Sequence, residues 1–323
     1  MRSVVTGAAG FIGSHLAEHL LGLGHEVLGI DSFSAYYDPA LKRQNSAALL
    51  KHARFELLEG DLTRLDLRSV LQDADYVFHQ AAQPGVRVSW GERFADYVST
   101  NILGTQRLLE TVKGTSLRKF IFASSSSVYG NAPLPLQEST PPHPISPYAV
   151  TKLAAEQLCT LYHTSHGVPT ITLRYFTVYG PRQRPDMAIF KFIEAIAAGD
   201  RLTIHGSGEQ RRDFVYVEDV VHANVLAALS PHAGLTVNVA GGHPVALMQL
   251  LDLLQQIMGR DAHLVHGDGQ PGDVAHTLGD CRGAQDAIGF GAATALADGL
   301  CRQVAWQTDH GAAARLRHSV RGQ

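Results

Sequence analysis

Residues 3–24 read SVVTGAAGFIGSHLAEHLLGLG, and this stretch decides the fold. Ser3–Thr6 is a short β-prone run without polar alternation, and Phe11–Leu23 places apolar residues at roughly helical spacing. Between them, Thr6–Gly13 carries the pattern G-x-x-G-x-x-G. In that setting Gly7 permits a tight turn, Gly10 lets backbone approach a pyrophosphate, and Gly13 lets the helix pack closely on the sheet. The helix N-terminus, opened by Phe11 and Ile12, then offers unpaired N–H groups and a favourable dipole to phosphate oxygens. A glycine pattern alone is weak evidence; between a strand and a helix it becomes a dinucleotide-binding fingerprint.

The second strand, Glu26–Ile30, runs into Asp31, about 20 residues beyond the loop, where the fingerprint requires an acid. A carboxylate there accepts hydrogen bonds from ribose hydroxyls and repels a 2′-phosphate, so the expected cofactor is NAD rather than NADP. The alternative is that Asp31 only caps the following turn.

Working outward, further candidate strands are Arg54–Glu59, Tyr76–His79, Lys119–Ala123, Thr170–Arg174 and Thr236–Val239. Between them, Phe94–Lys113 and Tyr148–His166 have helical spacing. Runs such as VVTG and FIFA lack polar alternation, as strands covered on both faces do. Alternating strands and helices predict an α/β, doubly wound parallel-sheet Rossmann fold. After Arg174 the texture changes to YFTVYGPRQRPDM, rich in proline, glycine and arginine, which reads as a loop lining a site. The expected organisation is a dinucleotide-binding domain of residues 1–174 plus about 213–240, with a smaller interleaved substrate lobe of 175–212 and 241–310. Residues 311–323, GAAARLRHSVRGQ, read as a disordered basic tail.

A formal charge of −3 gives no electrostatic reason to expect nucleic acid or a membrane surface as partner. No run of 18 apolar residues suggests a membrane span, and the N-terminus lacks the layout of a signal peptide. Cys159, Cys281 and Cys301 are few, odd in number and far apart, which fits a reducing cytoplasm better than a disulfide framework. The 17 histidines form no HExxH or CxxC–HxxxH arrangement, so no metal is expected, and His15, His19, His163 and His166 read as ordinary helix residues.

Residues 145–152 read ISPYAVTK. Ser146 and Pro147 suit a helix start, and Tyr148 and Lys152 then share one helix face. A tyrosine acting as general base near neutral pH needs its pKa lowered by roughly 3 units, about 4 kcal/mol. A nearby ammonium and a positively charged nicotinamide are charges of the right sign. In isolation the pair would read as a surface helix motif. It follows the glycine loop and the strand FIFASSSSVYG, however, whose end brings hydroxyls to the side of the sheet where ligands bind.

Together these residues resemble the extended short-chain dehydrogenase/reductase family, the NAD-dependent sugar-nucleotide epimerases and dehydratases. The shared motifs are TGAAGFIG, GDL at 60–62, HQAA at 79–82, STNILGT at 99–105, SSSSVYG, YAVTK and RRDFVYVEDV at 211–220. The resemblance implies that Asp61 and Leu62 line the adenine, that Gln80, Ala81 and Ala82 run beside the cofactor, and that Tyr175 joins them. It implies Tyr148 as base, Lys152 as its tuner and ribose ligand, and Ser125 as the assisting hydroxyl, with the run of serines leaving that choice open by one position. Arg212 would grip the substrate diphosphate, Asp273 the nucleotide ribose, and Arg87 would add a substrate contact. Family dehydratases carry an Asp-Glu pair where this chain has Ser126 and Ser127, so dehydration is not expected. Many glucose/galactose epimerases have an arginine where this chain has Gln270, which weakens the carry-over for one phosphate contact.

The segment 174–188 looks most like that of UDP-glucuronate 4-epimerases, in which a threonine and an arginine hold the sugar carboxylate; here these are Thr177 and Arg184. Ser126 and Ser127 would add hydroxyl donors. The expected reaction is C4 epimerisation of a UDP-sugar, UDP-glucuronate to UDP-galacturonate, through a transient 4-keto sugar. The alternatives are a UDP-glucose or UDP-N-acetylglucosamine 4-epimerase, a uronate decarboxylase, a simple reductase and a non-catalytic dinucleotide sensor. Arg182 or Arg184 would then simply bind phosphate or pair with Asp186. By the same resemblance, the helices 94–113 and 148–166 are expected to pair across a homodimer.

Overall fold

The structure, a computed structural model, describes residues 1–267 and 274–310; the expected tail at 311–323 lies outside the described residues. The strands are β1 (Arg2–Thr6), β2 (Glu26–Asp31), β3 (Phe55–Glu59), β4 (Tyr76–His79), β5 (Lys119–Ser125), β6 (Thr170–Tyr175), β7 (Thr177–Tyr179), β8 (Arg201–His205), β9 (Arg211–Tyr216), β10 (Leu235–Val239), β11 (Pro244–Ala246) and β12 (His263–Gly267). The helices are α1 (Phe11–Gly22), α2 (Pro39–Ser46), α3 (Leu67–Leu71), α4 (Phe94–Tyr97), α5 (Gly104–Val112), α6 (Pro147–His166), α7 (Ala188–Ala198), α8 (Val217–Leu229), α9 (Leu247–Met258), α10 (Arg282–Ile288) and α11 (Leu296–His310).

Seven strands form one parallel sheet in the order β10-β6-β5-β4-β1-β2-β3. The order reverses at β1, which pairs with β2 on one side and β4 on the other. That switch point leaves a crevice at the carboxyl ends of the strands, where such sheets bind ligands. Successive side chains of β1 feed opposite faces: Val4 packs with Val77, Phe120 and Phe122 in one apolar cluster, and Val5 with Phe78, Ile121 and Leu173 in another. Both faces are covered, which is why these strands show no polar alternation.

Two sequence-based expectations need correction. The segment after Arg174 contains more strand than expected: β7, β9 and β11 form a small mixed sheet, and β8 pairs with β12. Three-residue strands such as β7 and β11 are too short to show a period of two. Phe94–Lys113 is not one regular helix either. Residues 98–103 form a π turn between α4 and α5, and Asn101 lies buried within it. Its amide accepts from Gln83 N–H at 2.7 Å, donates to Gln83 O at 3.1 Å, and donates to Thr151 Oγ1 on α6 at 3.0 Å. Three bonds to one side chain offset the irregular backbone, and such turns concentrate at functional sites. Among the described residues, no helix is long and apolar enough to cross a membrane.

Candidate active site

One cavity opens at the carboxyl ends of the strands. Gly7, Gly10, Phe11, Ile12, Gly13, Asp31, Asp61, Leu62, Gln80, Ala81, Ala82, Tyr148, Lys152 and Tyr175 all line it, so every residue expected at the cofactor is brought together. Gly7 has φ +71°, and a Cβ there would stand 2.8 Å from Ala81 N. A Cβ on Gly13 would stand 2.1 Å from Gly7 O, so only glycine lets α1 start so close to the turn. No side chain caps the first turn of α1 and no acid lies in it, which leaves its N–H groups directed at the cavity.

Asp31 is buried at the tip of β2, where its carboxylate ties two backbone segments. Its Oδ1 accepts from Phe33 N–H at 2.8 Å, closing the next turn, and its Oδ2 accepts from Ala9 N–H at 3.1 Å, fixing the glycine loop. Lys42 Nζ stands 3.5 Å from Oδ1. Asp61 folds its own turn by accepting from Thr63 N–H at 2.8 Å. Gln80, Tyr175 and Asn224 form a closed triangle: Gln80 Nε2 donates to Asn224 Oδ1 at 2.9 Å, Asn224 Nδ2 to Tyr175 OH at 2.7 Å, and Tyr175 OH to Gln80 Oε1 at 3.2 Å. These bonds hold the floor of the cavity rigid. The dinucleotide fits what is present: a capless helix start for its phosphates, a glycine turn with no room for a side chain, and a carboxylate at the second strand.

The second half of the cavity is built by α6. Ser146 caps the helix by accepting from Ala149 N–H at 3.2 Å, with Pro147 in the first turn. Tyr148 hydrogen-bonds Ser125. Burial pushes its phenol up, while the Ser125 bond and the Arg184 charge oppose that rise. Of the four serines, Ser124 alone lines the cavity. Ser124 donates to Glu156 Oε1 at 2.5 Å, away from Tyr148, and Ser127 accepts from Ser125 Oγ at 3.0 Å. Lys152 is not turned to Tyr148; its Nζ donates to Ala123 O at 2.7 Å and lies over the Phe122 ring. Burial brings its ammonium down to about 8, opposed by the nearby Glu156 carboxylate.

Arg184 reaches the same cavity. Thr177 opens β7, Arg212 lies on β9, Ser126 and Ser127 open the turn after β5, and Arg87 lies on the loop after β4; none of these five lines the cavity. Arg212 Nη1 donates to Ala275 O at 3.1 Å, and Asp273, like Gln270, lies outside the described residues. Sequence reasoning missed Tyr36, Tyr37 and Lys42, which line the cavity from the loop and helix after β2, and Thr100, Gln83 and Pro84 on its opposite wall. The signal was available in the stretch SFSAYYDPALK, whose paired aromatics directly follow the acid of the fingerprint.

A family model described as the NAD dependent epimerase/dehydratase family matches residues 3–240. The chain belongs to this family. Its relatives in the epimerase/dehydratase family include the Bacillus subtilis protein named "Uncharacterized UDP-glucose epimerase YtcB", 44% identical over 95% of this chain and 98% of that one. A UDP-glucuronate 4-epimerase from Thermodesulfobacterium geofontis is 36% identical over 95% of this chain and 96% of that one. Among solved structures, the UDP-glucuronic acid 4-epimerase from Bacillus cereus, in complex with UDP-glucuronic acid and NAD, superposes with a TM-score of 0.94. It is 40% identical, and the match covers 96% of this chain and 100% of that one. The fold is thus shared with that structure along nearly the whole chain.

Proposed function

We propose that this protein is an NAD-dependent UDP-glucuronate 4-epimerase, interconverting UDP-glucuronate and UDP-galacturonate. The observation that carries the reading is the presence of Arg184 in the cavity that also holds Tyr148 and the glycine cradle. A guanidinium at the sugar end suits a substrate that is itself a carboxylate. Relatives named for this reaction align over nearly all of the chain. NAD, held by the glycine cradle and Asp31, would supply reversible hydride chemistry at the sugar C4.

The chain's own residues divide the remaining work. Tyr148 takes the proton of the C4 hydroxyl, and Ser125, bonded to it, assists the transfer. Lys152 holds the ribose on the reacting side and contributes positive charge. The N-terminus of α1 with Gly7, Gly10, Phe11, Ile12 and Gly13 binds the pyrophosphate; Asp31 takes the adenosine ribose, Asp61 and Leu62 the adenine, and Gln80, Ala81, Ala82 and Tyr175 the inner half. Thr177, Arg184, Ser126 and Ser127 hold the sugar carboxylate. Arg212 holds the diphosphate, Arg87 adds a contact, and Asp273 takes the nucleotide ribose. Residues 175–212 and 241–310 serve as the substrate lobe on a dinucleotide-binding unit of 1–174 and 213–240.

A homodimer through α4–α6 is part of the same reading: Phe94, Val98, Leu103, Val150 and Leu161 are exposed apolar side chains on that stretch and on α6. Three unpaired cysteines and an NAD requirement suit the cytoplasm. The test is incubation of purified protein, without added NAD, with UDP-glucuronate, UDP-glucose and UDP-N-acetylglucosamine separately, products resolved by NMR. UDP-galacturonate from the first alone is the expected result. Turnover of the neutral sugars instead would favour the second reading, a UDP-glucose 4-epimerase, which the name of the 44% identical relative supports.

A further inference from the structure

Arg184 does not stand alone at the sugar end. Its Nε donates to Asp186 Oδ1 at 2.9 Å and its Nη2 to Asp186 Oδ2 at 3.0 Å. Tyr36 OH donates to the same Oδ2 at 3.2 Å, so the carboxylate is held from both sides. The phenol has its place because residue 85 is glycine: with φ +94°, a Cβ there would stand 2.1 Å from Tyr36 OH. The Asp186 carboxylate sits below its usual range despite partial burial, because Arg184 and Tyr36 both stabilise its charged form. Tyr36 comes from the loop that starts at Asp31, so one short segment runs from the adenosine end of the cavity to the sugar end.

The geometry of a guanidinium gives this arrangement a consequence. Of its five N–H groups, Asp186 engages two along the Nε–Nη2 edge. Of the three that remain, one on Nη1 and one on Nη2 lie parallel as an end-on fork. Such a fork matches a second carboxylate with two parallel bonds, provided the plane of the guanidinium is fixed. An arginine tied at one edge by a pinned carboxylate meets that condition; one held only by its flexible stem does not. The pair with Asp186 also cancels most of the local charge, so selection rests on the direction of the N–H groups more than on net attraction.

We infer that Tyr36 and Asp186 are specificity-positioning residues: they fix Arg184 so that its Nη1–Nη2 edge discriminates anionic from neutral sugars in the UDP-sugar site. This deepens the proposed glucuronate reading and rests on it. Neither residue touches the reacting atoms; both act through Arg184.

The test is a set of equilibrium binding measurements on the NAD-loaded protein, using UDP-glucuronate and UDP-glucose as probes. It compares the native protein with Tyr36→Phe and Asp186→Asn. Tyr36→Phe keeps the ring that fills the space over Gly85 and removes only the hydroxyl. The native protein is expected to bind UDP-glucuronate more tightly than UDP-glucose, with Tyr36→Phe narrowing the ratio about fivefold and Asp186→Asn about tenfold or more. Collapse of the ratio through weaker UDP-glucuronate binding supports the inference. Equal weakening of both probes is the mark of a merely structural role and overturns it. A native preference that both variants retain also overturns it while leaving the glucuronate reading intact. Absence of any native preference removes the reading and the inference together.

Discussion

Ser124 hydrogen-bonds Glu156 across the junction of β5 and α6, while the next serine, Ser125, bonds Tyr148. Three side chains one helical turn apart grip three consecutive strand residues: Tyr148 takes Ser125, Lys152 takes the Ala123 carbonyl, and Glu156 takes Ser124. Glu156 is in turn tied by Arg174, whose Nε and Nη2 donate to it at 2.9 and 2.7 Å, and whose Nη1 donates to Tyr129 OH at 2.8 Å. The strand residues that Tyr148 and Lys152 grip are thus backed by a buried ion pair.

Breaking that pair should cost more than it is worth intact. Glu156→Gln leaves the Arg174 guanidinium buried opposite a neutral amide, and a loss of about 3–5 kcal/mol is expected. Urea denaturation measures it. The double variant Glu156→Leu with Arg174→Met removes both charges and should recover much of the loss. If the single and double variants unfold at the same urea concentration, the pair does not carry this load.

Tyr148→Phe removes the proposed base and leaves the ring. Turnover should fall by at least about a thousandfold, toward the upper end of the usual range for a general base. Copurifying NAD should remain, since the cofactor's other proposed contacts, those of the glycine loop, α1 and β2 among them, are left unchanged. Residual activity within tenfold of native would assign the proton transfer elsewhere.

The glycine turn permits a sharper substitution. Gly7→Ala must accept φ +71° and a Cβ 2.8 Å from Ala81 N, so the backbone of the loop has to move. The expected outcome is loss of bound NAD, read by absorbance after denaturation, together with a lowered melting temperature.

Acid should destabilise the protein through His79. This ring is buried between two threonines, Nδ1 2.7 Å from Thr6 Oγ1 and Nε2 2.8 Å from Thr105 Oγ1. Thr105 already gives its proton to Asn101 O at 2.7 Å, so it accepts from Nε2–H and the ring is wired neutral. Burial, helped by the Lys152 charge, pushes His79 down to about 3. Between that value and the unfolded 6.5, the unfolded chain binds the extra proton; stability from this group is whole above pH 6.5 and is lost as pH falls toward 3. The limit is on the order of 5 kcal/mol. His79→Gln should flatten the fall in unfolding free energy over that interval, and an unchanged slope would assign the acid sensitivity to other groups.

The sheet was legible because buried parallel strands are written as continuous apolar runs, and all seven strands of the sheet stand within a residue or two of where the sequence puts them. The proposed cofactor end of the cavity was legible for a related reason: a glycine loop and an acid are read at fixed spacing along one chain segment. The proposed sugar end was less so. Tyr36, Asp186 and Arg184 are brought together from segments 150 residues apart, and no local period announces such a meeting. The role of Asn101 was hidden inside a helical pattern, since a π turn preserves apolar spacing closely enough to pass for a regular helix. The alternative that Arg184 pairs with Asp186 proved correct as geometry.

The outer strand of the main sheet is supplied late. β10 lies against β6, but three strands and two helices of the chain stand between them in sequence. As the polypeptide leaves the ribosome, β6 therefore waits with one edge bare until the later segment emerges, and a bare edge is a template for the wrong neighbour. Newly made chains should be most prone to self-association, and most in need of chaperone cover, during that interval. Chimaeras between relatives should fold only when the crossover keeps β6 and β10 from the same parent.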